Sequence, residues 1–202
     1  MRGAASSLAG RVDAIVIGAS AGGVEALSIL FPALPASLAA PVFVVLHLPR
    51  ERPSLLVEIF QPKCALPIHE AEDKEPVEAG VVYFAPPDYH LLVDEGPRIA
   101  LSTEAAVHYS RPSIDVLFES AADRFGARLL AVVLTGASED GAAGAAAVQR
   151  AGGITLVQQP EGAQSPRMPQ AALRLTEPTH VLALPAMAAL LGTLAPAKAA
   201  TR

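Results

Sequence analysis

The sequence predicts an α/β fold, a doubly wound, mostly parallel sheet in a Rossmann-like three-layer arrangement with a small antiparallel β-hairpin insertion. Three observations predict it. Short apolar runs rich in β-branched residues alternate with segments of helical period, which is the pattern of strands buried on both faces. Glycine or proline follows most of these runs, as at Gly18, Pro32, Pro49 and Gly136. The chain is 51% hydrophobic, yet only 4% aromatic and without Trp, so its core is built from Ala, Val, Leu and Ile. Helices packed on a parallel sheet suit that mixture.

The elements follow in order. Residues 12–18 (VDAIVIG) read as a buried strand, and residues 24–31 as a helix stopped by Pro32 and Pro35. Residues 42–46 (VFVVL) form a second buried strand, which ends at His47. Pro49 and Pro53 mark a loop, and residues 54–60 form a short helix. The stretch 67–101 holds short alternating pieces, VVYFAPPDYHLLV and RIALS. It reads as antiparallel strands or a hairpin attached to the main sheet. Residues 112–125 form a helix with Pro112 in its first turn. Residues 129–134 (LLAVVL) are a third strong strand, and a helix runs from near Asp140 to Arg150. A strand at 154–157 and helices at 171–175 and 186–191 complete the pattern. One domain over residues 11–193 is expected, with flexible tails at 1–10 and 194–202.

Composition excludes several classes of function. The net charge is -5 and no basic run or basic helix face stands out, which argues against nucleic acid as a partner. The single cysteine, Cys64, permits neither an intramolecular disulfide nor a cysteine-rich metal site, and reads as a small core filler rather than a reactive thiol. No metal site is expected. The first ten residues lack an apolar segment of the signal-peptide kind, and no apolar run reaches membrane-spanning length. The expected location is cytoplasmic, without membrane insertion.

In doubly wound sheets ligands bind beyond the carboxyl ends of the strands. Ser20 follows the first strand, His47 the second, and the loop after residues 129–134 leads to Asp140. A hydroxyl, an imidazole and a carboxylate on one edge are the set that acyl transfer needs. A serine is a poor nucleophile until a histidine takes its proton, and a carboxylate orients the imidazole and stabilises its cation. Each residue also has a plainer reading. The GASAGG loop suits a phosphate cradle, although its glycine spacing does not match G-x-G-x-x-G. His47 stands where a dinucleotide site usually carries an acid. Taken singly, His47 suits a satisfied polar residue at a strand end, and Asp140 a helix cap. GASAG also fits the G-x-S-x-G elbow of α/β-hydrolases, but the chain order Ser, His, Asp does not.

The segments AIVIGASAGGVEAL, VVLHLP, VYFAPPDYHLLV, HYSRPSIDVLFESAA, VVLTGASEDGAAG and MPQAAL together resemble the catalytic domain of the CheB protein-glutamate methylesterases. They run in family order over residues 12–192. The resemblance implies a cofactor-free hydrolase that releases methanol from glutamyl methyl esters on chemoreceptor helices, and in many members deamidates receptor glutamines. It implies Ser20 as nucleophile, His47 as general base and Asp140 as orienting acid. The backbone amides of Ala21 and Ala137 fall on the oxyanion-hole positions. Arg111 matches an arginine beside the active site, either orienting a substrate carboxylate or bracing its loop. Two departures stand out: Ala137 replaces a common Met, and GAQSPRMP differs from the usual loop before the MP pair. The receiver domain of well-known members has no room in these 202 residues. A non-catalytic receptor-binding adaptor and a nucleotide- or phosphate-binding protein are the alternative readings.

Overall fold

The computed structural model describes residues 8–48, 54–94, 96 and 98–194. The chain runs β1 (Ala14–Ala19), α1 (Gly23–Leu30), β2 (Val42–Leu46), α2 (Leu56–Phe60), β3 (Ile68–Glu70), β4 (Val82–Phe84), β5 (His90–Val93) and β6 (Ile99–Ser102). It continues through α3 (Ile114–Phe125), β7 (Leu129–Val133), α4 (Ala142–Arg150), β8 (Ile154–Gln158), α5 (Arg167–Leu175), β9 (His180–Leu182) and α6 (Leu184–Leu191). Seven strands form one sheet in the order β3-β4-β2-β1-β7-β8-β9, and every neighbouring pair is parallel.

Strand alternation sends successive side chains to opposite faces, and helices cover both. Ile15, Ile17, Val44, Leu130 and Val132 pack on one face with Leu27 and Leu30 of α1 and Met187 and Leu190 of α6. Val16, Phe43, Val45, Ala131 and Val133 pack on the other with Leu117 and Phe118 of α3 and Val148 of α4. Cys64 is buried in the first of these cores, and burial raises its thiol pKa. Strand order reverses around β1, which has β2 on one side and β7 on the other. That reversal opens the crevice at the carboxyl ends of these three strands.

Several expectations are corrected. Only β5 and β6 of the 67–101 stretch are antiparallel, and they form a separate two-stranded sheet. β3 and β4 extend the main sheet instead, with Val82, Tyr83 and Phe84 all buried. Three-residue strands are too short to show a period. The edge strand β9 escaped notice for the same reason. Pro112 precedes the α3 cap, Ser113, rather than lying in the first turn. α5 starts at Arg167, ahead of Pro169, because a proline in a first turn breaks no helical hydrogen bond. Leu8 is buried and its N–H donates to Thr193 Oγ1 at 3.1 Å, so residues 8–10 and Leu194 belong to the packed body. Residues 1–7 and 195–202 of the expected tails, and the expected loop prolines Pro49 and Pro53, lie outside the described residues.

Candidate active site

The register of the central strands decides what meets at the crevice. Ala19 pairs with Leu46 and Gly18 with Val133, so β1, β2 and β7 end level with one another. The His47 N–H donates to Ala19 O at 3.0 Å and the Ser20 N–H to Thr135 O at 3.0 Å. Ser20 and His47 therefore leave adjacent strands side by side, about 5 Å apart in backbone. Both line an open cleft of about 470 Å³ together with His108, Tyr109, Ser110, Ala137, Ser138, Glu139 and Arg167. Among the described residues no hydrogen bond joins the Ser20 and His47 side chains.

Asp140 stands behind His47, fully buried. His47 Nε2 lies 2.8 Å from Asp140 Oδ2. A carboxylate accepts only, so Nε2 carries the proton and the lone pair falls on Nδ1. Asp140 takes three further hydrogen bonds. Oδ2 accepts from Ile114 N–H at 2.7 Å; Oδ1 accepts from Asp115 N–H at 3.0 Å and from Ser113 Oγ at 2.8 Å. These donors belong to the start of α3, not to the helix that Asp140 itself precedes. Burial alone would raise the Asp140 pKa. The hydrogen bond from His47 and the amides of Asp115 and Ile114 overcome it and hold the carboxyl below its ordinary value.

The arrangement is reciprocal. Asp115, on α3, sends Oδ1 to the N–H groups of Gly141 and Gly144 at 2.9 and 2.7 Å, capping α4. Each helix start thus holds a carboxylate from the other segment, where free N–H groups and the helix dipole favour negative charge. Asp115 Oδ2 lies 3.4 Å from His108 Nε2 in the cleft. Burial, and then the neighbouring Asp140 charge, push the Asp115 pKa up to about 6.

A stability prediction follows from Asp115. Between about pH 4 and 6 the folded chain keeps a proton there that the unfolded chain has released. That group therefore lowers stability as pH rises through the window. Asp115→Asn retains the oxygen that caps α4 but cannot ionise. Relative to the parent, the variant should gain about 1–3 kcal/mol on going from pH 4 to pH 7. Thermal melts across that range check it, and a difference independent of pH would contradict it.

The nucleophile loop is fixed from below. Gly22 has φ 81 and precedes α1 with no side-chain cap. A left-handed backbone there favours glycine. Among the described residues the N–H groups of Ala21 and Ala137 have no acceptor. Thr135 Oγ1 donates to Ala21 O at 2.8 Å and accepts from Ser165 N–H at 2.9 Å, while Gln158 Oε1 accepts from Thr135 N–H at 2.8 Å. Gln164 packs close over Gly22: a Cβ placed on that glycine would lie 2.7 Å from Gln164 Cβ and Oε1. At Gly136 an added Cβ would come within 2.5 Å of Met168 Cε and 3.0 Å of Ser20 Cβ. Glycine at 136 is what lets the Ala137 loop approach the serine.

The comparisons with known proteins bear on this geometry. Residues 15–191 match the model of the CheB methylesterase family. The chain belongs to the CheB methylesterase family. A putative protein-glutamate methylesterase/protein-glutamine glutaminase of Leptospira interrogans serovar copenhageni is 40% identical over 178 residues, 88% of this chain and 92% of that protein. A protein-glutamate methylesterase/protein-glutamine glutaminase of Symbiobacterium thermophilum is 40% identical over 168 residues, 83% of this chain but only 46% of that one. The crystal structure of the Thermotoga maritima CheB methylesterase catalytic domain superposes with a TM-score of 0.82 at 30% identity, covering 90% of this chain and 97% of that one. Its fold is the fold of this chain.

Arg111, the remaining CheB-like position named from sequence, does not line the cleft that holds Ser20. Its Nε and Nη2 donate to Asp88 Oδ1 at 3.1 and 2.8 Å, and its Nη1 to Thr103 O and Glu104 O at 2.7 and 2.9 Å. It borders a smaller hollow beside His47. In this structure its guanidinium closes the two ends of the loop between β6 and α3 on each other and ties that loop to the one between β4 and β5. Ser113, Asp115, Thr135 and His90 went unnoticed in the sequence. Ser113 alone had a local signal, as a hydroxyl just ahead of an apolar helix. His90 is buried, accepts at Nδ1 from Ser113 N–H at 3.1 Å, and donates from Nε2 to Ala105 O at 3.1 Å. Among the described residues no helix is long and apolar enough to cross a membrane.

Proposed function

We propose that the chain is a serine hydrolase that demethylates glutamyl methyl esters on the cytoplasmic helices of chemoreceptors, and deamidates receptor glutamines by the same route. The observation that carries this reading is the 2.8 Å contact from His47 Nε2 to buried Asp140, at the strand end next to Ser20. It leaves the lone pair of His47 on Nδ1, the nitrogen that does not face Asp140. The names of the relatives agree with the reading.

In this mechanism a bound ester brings Ser20 Oγ into hydrogen bond with His47 Nδ1; such bonds are often open in free enzymes. His47 takes the Ser20 proton as Oγ attacks the ester carbonyl. Asp140 stabilises the imidazolium. The amides of Ala21 and Ala137 receive the oxyanion, helped by the uncapped start of α1. His47 then protonates the departing methoxide, and methanol leaves a Ser20 acyl-enzyme. Water, deprotonated by His47, cleaves it to the glutamate carboxylate and restores Ser20. A glutamine amide follows the same steps and releases ammonia. The chemistry requires no metal or organic cofactor.

Covalent trapping tests the reading. A fluorophosphonate should modify Ser20 alone, located by peptide mass spectrometry, and His47→Ala should slow the reaction about a hundredfold or more. Modification elsewhere, with Ser20 untouched, would reject the assignment.

A further inference from the structure

The cleft does not end at Ser20. A second hollow of about 240 Å³ lies beside it between α4 and α5, with His108 and Glu139 lining both. The sides there are Ala142, Ala143 and Ala171, with Arg174 and Leu175 at the far end. Alanines let a helix backbone approach closely. Leu175 is 60% exposed and gives the hollow an apolar edge. Arg167 and Arg174 lie seven residues apart, two turns of α5 and about 10 Å along its axis, so they share a face. Both reach for one carboxylate, Glu139, at 3.4 and 3.3 Å. Two exposed guanidinium groups share one exposed acid, in a chain whose net charge is -5. Exposed pairs of that kind hold weakly, so a better-placed carboxylate displaces Glu139 at little cost.

We infer that this groove is the docking track for the substrate: an acidic amphipathic α-helix lies along α5, with its apolar side on Ala143 and Leu175 and its carboxylates on Arg167 and Arg174. The inference rests on the hydrolase reading and adds to it the surface that selects the substrate. A helix about 10 Å across needs an open trough of this sort rather than a deep pocket. Carboxylates spaced i and i+7 on the incoming helix match the spacing of the two arginines.

The test uses the full chain and a fluorescent helical peptide with one glutamyl methyl ester flanked by glutamates at i and i+7. Anisotropy should give a Kd that rises about tenfold or more in Arg174→Glu and further in the Arg167→Glu, Arg174→Glu pair. A peptide with glutamines at those two places should bind weakly to the parent chain and be insensitive to the substitutions. Equal affinity of parent and variants for the acidic peptide would overturn the inference. So would sedimentation showing that the parent is a dimer which the charge reversals convert to monomer, since a second copy would then occupy the groove. Binding is read with Ser20→Ala added to parent and variants alike, so that the ester is not consumed, and fluorophosphonate labelling of Ser20 in the unaltered chain reports on the hydrolase reading separately.

Discussion

Asp140→Asn should lower turnover about a thousand- to ten-thousandfold and destabilise the fold by about 1–3 kcal/mol. Both effects come from one count of hydrogen bonds. The carboxylate accepts four: from His47, Ile114, Asp115 and Ser113. An asparagine has one oxygen, which serves two donors at most, and its NH2 group meets donors on the other side. If the oxygen faces Ser113 and Asp115, the NH2 confronts the Ile114 N–H and His47 Nε2. The imidazole must then turn its lone pair to the NH2 and its proton towards Ser20, which is the wrong tautomer for a base. If the amide is flipped, the Asp115 N–H is left without an acceptor in a fully buried place. The chemical loss should appear in kcat, and the structural loss in the melting temperature. Ser113→Ala separates the two. It removes one donor to Oδ1 and leaves the His47 bond to Oδ2 in place, so it should cost some stability with a far smaller loss of turnover. Comparable losses of kcat in the two variants would show that Asp140 acts only as a brace.

What the sequence made legible here depended on distance along the chain. Strands β1, β2 and β7 each form an apolar run of five or six residues, and their ends were readable within a residue or two. Ser20 and His47 follow two of these ends, so their arrival at one crevice followed from the parallel topology. The partnership of α3 with α4 was not readable. Asp115 and Asp140 are 25 residues apart, and each caps a helix start in the other's segment only after the two helices pack. Nothing local marks Asp115, which looks like any acid in a first helical turn. The nitrogen of His47 that faces Asp140 is likewise set by packing. Arg111 was readable as a residue near the site, but its commitment to Asp88, 23 residues away, and to two carbonyls of its own loop depends on how that loop folds back. Short strands such as β3 and β9 carry too few residues to display a period, and their place in the sheet came from tertiary pairing.

Ser20→Ala bears on the whole account. Ser20 sits in a loop, half covered, and its backbone N–H, which alanine retains, makes the bond to Thr135. Loss of one hydroxyl there removes no buried packing, so the melting temperature should stay within about 1 °C of the parent. The chemistry has no substitute. His47 would have only water to activate, without a covalent intermediate, and the residual rate should fall by about a millionfold, to the floor of the assay. The most direct measurement is methanol release from methyl-esterified receptor cytoplasmic fragments, parent against Ser20→Ala at matched folded concentration. The account predicts steady release by the parent and none above background by the variant. Release by the variant at a rate near the parent's would contradict it.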